Sequence, residues 1–312
     1  MKPVLVPMPG NEPLTDALAS TMGCERGYAL VRHFPDGESQ VRIESPLAGR
    51  HTIITCTLDR PDDKLVPLLL LAAAARDAGA VSVGLVAPYL AYMRQDKRFQ
   101  AGETVSAQHL AGWISGWFNW LVTVDPHLHR IPALGSIYTI ATRVVHAAED
   151  ISQWVVANVR QPLLIGPDEE SAQWVCDVAR RAGAPFILQA KIRRGDRDVE
   201  ISVPQAERWR AHTPVLVDDI VSTARTMIET IGHLRRSGLN APVCIAVHPV
   251  FAQNSFEELR TAGAAEIVSC DTIAHPSNRI SLVASVAAGV HELLQNSHDV
   301  TFNRPPLGGT LI

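Results

Sequence analysis

Four short polar clusters, each placed after an apolar run, contain residue types able to do chemistry. Asp218-Asp219-Ile220-Val221-Ser222-Thr223-Ala224-Arg225-Thr226 follows Val215-Leu216-Val217. Two adjacent carboxylates end a strand, and a hydroxyl-rich turn then opens a helix. Free N–H groups at a helix start, with Ser and Thr hydroxyls, suit a phosphate. Two carboxylates beside a phosphate would repel it unless they take sugar hydroxyls or a divalent ion. Together these features specify a ribose phosphate, with its diol on the acids and its phosphate on the loop. The bland alternative is that the aspartates only end a strand and that Ser222 or Thr223 caps the helix.

The other three clusters are less specific alone. In Asp125-Pro126-His127-Leu128-His129 an imidazole near a carboxylate can ligate a metal or orient a phosphate, although a histidine after a strand is commonly structural. Tyr92-Met93-Arg94-Gln95-Asp96-Lys97-Arg98-Phe99 sets three cations among polar and aromatic side chains, which suits a polyphosphate with a stacked base or else a solvated basic loop. Lys191-Ile192-Arg193-Arg194-Gly195-Asp196-Arg197 is a charged loop of the kind that is usually just solvated. No GxxxxGK[ST] loop, strand-following GxGxxG or GxSxG elbow is present, so a Walker-type ATPase, a Rossmann dehydrogenase and an α/β-hydrolase lack support.

The elements that must position these clusters alternate in type. Strands are expected at 51–57, 81–87 and 120–124, with helices at 62–78 and 106–117. A second series has strands at 162–165, 186–189, 214–217, 243–248 and 266–270, with helices at 169–182, 226–236 and 255–262. This rhythm implies βαβ units, mostly parallel sheets and helices on both faces. Two such series predict two α/β domains meeting near residues 140–150, alike in fold only, because no repeat is visible in the sequence. Ligands of open parallel sheets sit beyond the carboxyl ends of the strands, which is where all four clusters fall.

Composition narrows the function classes. The 312 residues are 46 % hydrophobic and 19 % charged, which is globular rather than disordered. With 28 basic and 32 acidic side chains the formal charge is −4, which argues against a general nucleic-acid binder but leaves room for a local basic pocket. The longest apolar run, Leu65 to Ala75, is far short of the ~20 residues of a membrane span, and the N-terminus is broken by prolines too early for a signal-peptide core. Five scattered cysteines with no CxxC fit a reducing cytoplasm.

Taken in order, the clusters resemble the ribose-phosphate pyrophosphokinases (phosphoribosyl-pyrophosphate synthetases). The Asp218-Asp219 segment is similar to the phosphoribosyl-binding signature of that family and of phosphoribosyltransferases generally. The marks particular to the synthetases are Phe34-Pro35-Asp36-Gly37-Glu38, Arg94-Gln95-Asp96, Asp125-Pro126-His127, Pro167-Asp168 and Lys191-Ile192-Arg193, which occur here in family order. The short connection after Arg193 and the proline between Asp125 and His127 are similar to the shorter archaeal-like branch.

The resemblance implies two tandem phosphoribosyltransferase-type domains, each a mostly parallel sheet flanked by helices: 1–145 on the ATP side, 146–295 on the ribose-5-phosphate side, and a tail at 296–312. It implies Mg²⁺-dependent transfer of diphosphate from ATP to the C1 hydroxyl of ribose 5-phosphate, with AMP as the other product. Carried over by position, Lys191 and Arg193 are catalytic and stabilise charge on the transferring group. Arg94 and Gln95 hold ATP, and Phe34, Asp36 and Glu38 receive the adenine of an ATP bound mainly by a neighbouring subunit. His127 and Asp168 position Mg²⁺. Asp218 and Asp219 take ribose hydroxyls, and Ser222, Thr223, Arg225 and Thr226 take the 5-phosphate. The implied assembly is a homo-oligomer built on dimers, up to a hexamer, with no nucleic-acid or membrane partner.

Two departures from the family pattern stand out. Ala224-Arg225 replaces glycine in the phosphate loop, and Glu169-Glu170 follows Asp168 where small residues are common. The altered loop motivates one alternative, a non-catalytic nucleotide-binding regulatory paralogue. A nucleobase phosphoribosyltransferase would explain Asp218-Asp219 but leaves the Phe34 and Arg94 clusters unused.

Overall fold

Val4-Leu5-Val6, Ile53-Ile54, Val83, Leu85-Val86 and Leu121-Val122 are at most 1 % exposed, the pattern of strands covered on both faces. The computed structural model describes residues 2–166, 172–188, 190–193, 199–202 and 206–296. In chain order the first unit comprises β1 (Val4–Pro7), α1 (Glu12–Met22), β2 (Glu25–Arg26), β3 (Ala29–His33), β4 (Ser39–Ile43), β5 (His51–Thr55), α2 (Asp62–Asp77), β6 (Ser82–Val86), α3 (Ser106–Trp117), β7 (Trp120–Val124) and β8 (Ala141–Val145). The second comprises α4 (Ala148–Asn158), β9 (Pro162–Gly166), α5 (Ala172–Ala182), β10 (Phe186–Leu188), β11 (Ala190–Arg193), β12 (Val199–Ser202), β13 (Thr213–Val221), α6 (Arg225–Arg236), β14 (Val243–Pro249), α7 (Ser255–Thr261), β15 (Glu266–Cys270) and β16 (Asn278–Ile280). Helix α8 (Val283–Asn296) follows.

Each unit has one six-stranded sheet, in order β2-β1-β5-β6-β7-β8 and β10-β9-β13-β14-β15-β16, and the strand pairs in both are parallel. The two orders are the same pattern. The second sheet strand lies on one side of the first and the third on the other, so the chain reverses direction of travel between β1 and β5 and again between β9 and β13. Each unit also inserts an antiparallel hairpin between its second and third sheet strands, β3–β4 in one and β11–β12 in the other. The α/β expectation and the likeness in fold between the halves are therefore borne out, although no repeat is visible in the residues.

The core of the first unit joins Val4, Val6, Ile54, Leu68, Leu71, Leu85, Leu110, Ile114 and Leu121 between sheet and helices. That of the second joins Leu163, Ile165, Leu216, Met227, Ile231, Leu234, Cys244 and Leu259. Gly84 on β6 lies beneath the indole of Trp120, and a Cβ there would stand 2.0 Å from the ring.

Three expectations need correction. The chain leaves the first unit after Val145 and returns to it at Val283, so α8 belongs with the first unit and not with the second. It packs on α1, β7 and β8, with Gly289 close to Arg143 and Val145 and with Glu292 paired to Arg143 at 2.9 Å. Strand β13 does not stop at Val217 but runs through both aspartates to Val221: Asp218 pairs with Ala246, Ile220 with His248 and Val221 with Pro249. Helix α6 starts at Arg225, one residue earlier than expected. The expected helix start at Glu169 and the strand end at Gln189 lie outside the described residues. No helix among the described residues is long and apolar enough to cross a membrane.

Gly84→Ala is expected to cost at least ~2 kcal/mol, because the indole of Trp120, 1 % exposed, has nowhere to move. Chemical denaturation checks this, and an unchanged midpoint would show that the core is looser than described.

Candidate active site

In the second unit β13, the turn after it and α6 form one continuous stretch of chain. Asp218 and Asp219 also accept local bonds from the main chain: the Asp219 N–H donates to Asp218 Oδ1 at 3.0 Å, and the Ile220 N–H to Asp219 Oδ1 at 2.7 Å. The chain then turns through Ser222 and Thr223 to Ala224, whose φ of 55° lies in the left-handed region that costs an L-residue about 1–2 kcal/mol. Arg225 is the first helical residue and is exposed, as are Thr223 and Thr226. Neither Ser222 nor Thr223 caps α6: the N-cap position is Ala224 and no side chain bonds the first-turn amides. The capping alternative is thereby removed. A cation at the positive end of a helix is unfavourable on its own, and an anion bound there reverses the sign.

The β11–β12 hairpin carries Lys191 and Arg193 on its first strand, with Lys191 opposite Ile201 and Arg193 opposite Val199. Strand β12 lies against α6. Asp168 lies outside the described residues.

In the first unit, Phe34-Pro35-Asp36-Gly37-Glu38 is the turn of the β3–β4 hairpin. The Phe34 N–H donates to the Glu38 carbonyl at 2.7 Å, and Gly37 takes φ 92°, which glycine adopts without strain. Phe34 is 39 % exposed, with the Arg32 guanidinium 5.1 Å from its ring centre. A groove of about 850 Å³ separates this turn from the start of α2, with His33, Glu38 and Ser39 on one side and Asp62, Asp63 and Val66 on the other.

Arg94 and Gln95 are exposed in the loop after β6. Three contacts hold that loop. Tyr92, at φ 60°, donates its phenol to Asp62, and this bond to the carboxylate pushes the phenol pKa up to about 12. The Gln95 N–H bonds the Tyr92 carbonyl at 2.9 Å. Asp96, its side chain 1 % exposed, receives Arg130 on both oxygens at 3.1 and 3.2 Å, tying the loop after β6 to the loop after β7. The latter loop carries His127, half-buried, with the His129 ring 3.8 Å away edge-on. The chain enters it at Asp125, φ 28°. Tyr92 and Asp96 lie within the cluster legible in the sequence, but their partners Asp62 and Arg130 carry no local signal.

The two units differ where their topologies correspond. The loop after β5 also has a left-handed residue, Arg60 at φ 49°, just before its helix. There the helix opens with Asp62-Asp63, and Lys64 bonds Asp59 and the Thr57 carbonyl. The positive helix end is satisfied by the chain's own carboxylates. The corresponding loop after β13 instead combines hydroxyls, a cation and an uncapped helix start.

Comparison with known proteins places both halves. Residues 4–116 match the N-terminal domain of ribose phosphate pyrophosphokinase, and residues 134–284 match the phosphoribosyl transferase domain. A ribose-phosphate pyrophosphokinase of Methanopyrus kandleri is 31 % identical over 278 residues, which are 88 % of this chain and 94 % of that one. One of Saccharolobus solfataricus is 30 % identical over 77 % of this chain and 82 % of its own. The crystal structure of phosphoribosylpyrophosphate synthetase from Mycobacterium smegmatis has the same fold, with TM-score 0.83 and 19 % identity over 95 % of this chain and 100 % of that one. With both domain types matched in order and such identity across nearly the whole of a relative, the chain belongs to the ribose-phosphate pyrophosphokinase family.

Proposed function

We propose that this chain transfers the β,γ-diphosphate of ATP to the C1 hydroxyl of ribose 5-phosphate, releasing AMP. The observation that carries this is the segment from Asp218 to Thr226: acids within a strand, then hydroxyls and Arg225 at an uncapped helix start. Asp218 and Asp219 would take the ribose hydroxyls. Ser222, Thr223 and Thr226 would take the 5-phosphate, with the Arg225 guanidinium standing in for the backbone donors that a glycine-rich loop would bring closer.

Arg94 and Gln95 would hold the ATP phosphates from the loop braced by Tyr92 and Asp96. Phe34, Asp36 and Glu38 would receive adenine from an ATP bound mainly by a neighbouring copy, so the working form would be a homo-oligomer. Lys191 and Arg193 would balance charge as the bond to AMP breaks, since transfers of this kind depend on positioning and electrostatics more than on covalent help. The donor types fit Mg²⁺: the carboxylate of Asp168 is a hard oxygen ligand, and the half-buried His127 imidazole would complete the protein's share beside phosphate oxygens. When bound, the ion would neutralise charge on the β- and γ-phosphates. Five cysteines outside any disulfide, three of them buried, suit a reducing cytoplasm.

The reading predicts AMP release from ATP that requires both Mg²⁺ and ribose 5-phosphate; no release at high enzyme concentration would count against it and favour the regulatory paralogue. Lys191→Ala should lower kcat at least ~100-fold with KM for ATP nearly unchanged, whereas an effect mainly on KM would reassign Lys191 to ground-state binding. Arg225→Gly should weaken ribose 5-phosphate binding about tenfold, the loss expected for one charge-assisted contact. Calorimetry reads this directly, and equal affinity would remove the guanidinium from the site.

A further inference from the structure

The loop joining β14 to α7 is built against the phosphate loop. It contains two non-glycine residues in the left-handed region, Phe251 at φ 35° and Gln253 at φ 56°. Three donors from this segment reach the main chain of the turn after Asp219. The Phe251 N–H bonds the Val221 carbonyl at 2.9 Å, the Ala252 N–H bonds the Ser222 carbonyl at 2.9 Å, and the Ser255 hydroxyl donates to the same Ser222 carbonyl at 2.7 Å. Ser255 is 3 % exposed.

Both acceptor positions of the Ser222 carbonyl are thus taken. A carbonyl held toward the β14–α7 loop fixes the orientation of the peptide plane that follows it. The Thr223 N–H, which shares that plane and points opposite to the carbonyl, then faces away from that loop. An anion site needs this orientation, because a free carbonyl turned inward would repel a phosphate.

The strained side is held by packing. The Phe251 ring meets Phe256 at 5.2 Å and His275 at 4.8 Å, and Phe256 meets His275 at 4.9 Å. His275 Nδ1 accepts the Ser277 N–H at 3.2 Å, and burial pushes the imidazole pKa down.

We infer that Ser255 is a positioning residue for the 5-phosphate, acting through the Ser222 carbonyl, in a brace whose other members are Ala252 and Phe251. This rests on the reading of residues 222–226 as the phosphate loop. With Ala224 and Arg225 where the family pattern has glycine, the loop's orientation is set from behind, by a side chain outside the binding segment.

The test is steady-state kinetics on the full-length chain with ATP, Mg²⁺ and ribose 5-phosphate, comparing the parent with Ser255→Ala, Ser255→Cys and Ser255→Thr. Alanine removes the donor, the near-isosteric cysteine keeps the volume with a weak donor, and threonine restores the hydroxyl. The alanine and cysteine variants should raise KM for ribose 5-phosphate about fivefold, the scale of one hydrogen bond, with kcat and KM for ATP within about twofold, and threonine should recover most of the loss. An unmoved KM for ribose 5-phosphate, or a parallel change in both KM values and kcat, in a parent that turns over would overturn the brace alone. A parent with no ribose-5-phosphate-dependent turnover would overturn the reading beneath it.

Discussion

In a sheet whose strands all run the same way, every carboxyl end lies along one edge, and every following helix points its positive end back toward that edge. This constraint governs the placement of chemistry here. The loops after β6, β7 and β13, which carry Arg94, His127 and Ser222, all leave carboxyl ends of their own unit's sheet. The chain has a net charge of −4, so it offers phosphates no general attraction.

The same topology appears twice and is put to different uses. Both units reverse strand order at the same step, and both insert a hairpin between the second and third sheet strands. The hairpin turn of the first unit bears Phe34, Asp36 and Glu38, and the first hairpin strand of the second bears Lys191 and Arg193. The corresponding helix starts diverge in charge. Asp62-Asp63 opens one, and Arg225-Thr226 opens the other. Specialisation of the halves thus needs few residues, because the backbone that presents them is shared.

What was legible in the sequence follows from local physics. Helix Ser106–Trp117 and strands Trp120–Val124 and Glu266–Cys270 match their expected limits, since apolar runs buried on both faces, or an amphipathic stretch of helical length, encode their own state. The β3–β4 hairpin was not assigned because Ala29–His33 and Ser39–Ile43 mix charged and apolar residues on short strands of modest burial. The extent of β13 is not legible because acids usually end strands, whereas here pairing runs on through Asp218 to Val221. The apolar face of α8 shows that it packs but not on which sheet. The partners that fix the site loops, Asp62 for Tyr92, Arg130 for Asp96 and Ser255 for Ser222, are 30 to 34 residues away in the chain and leave no local trace.

The central claim is the identity of the group transferred, and phosphorus NMR of the complete reaction tests it most directly. With ATP, Mg²⁺ and ribose 5-phosphate, the account predicts that the triphosphate resonances give way to those of AMP and of an intact diphosphate esterified at the sugar's C1. Accumulation of ADP with a sugar monophosphate, or of free diphosphate with unchanged ribose 5-phosphate, would contradict it.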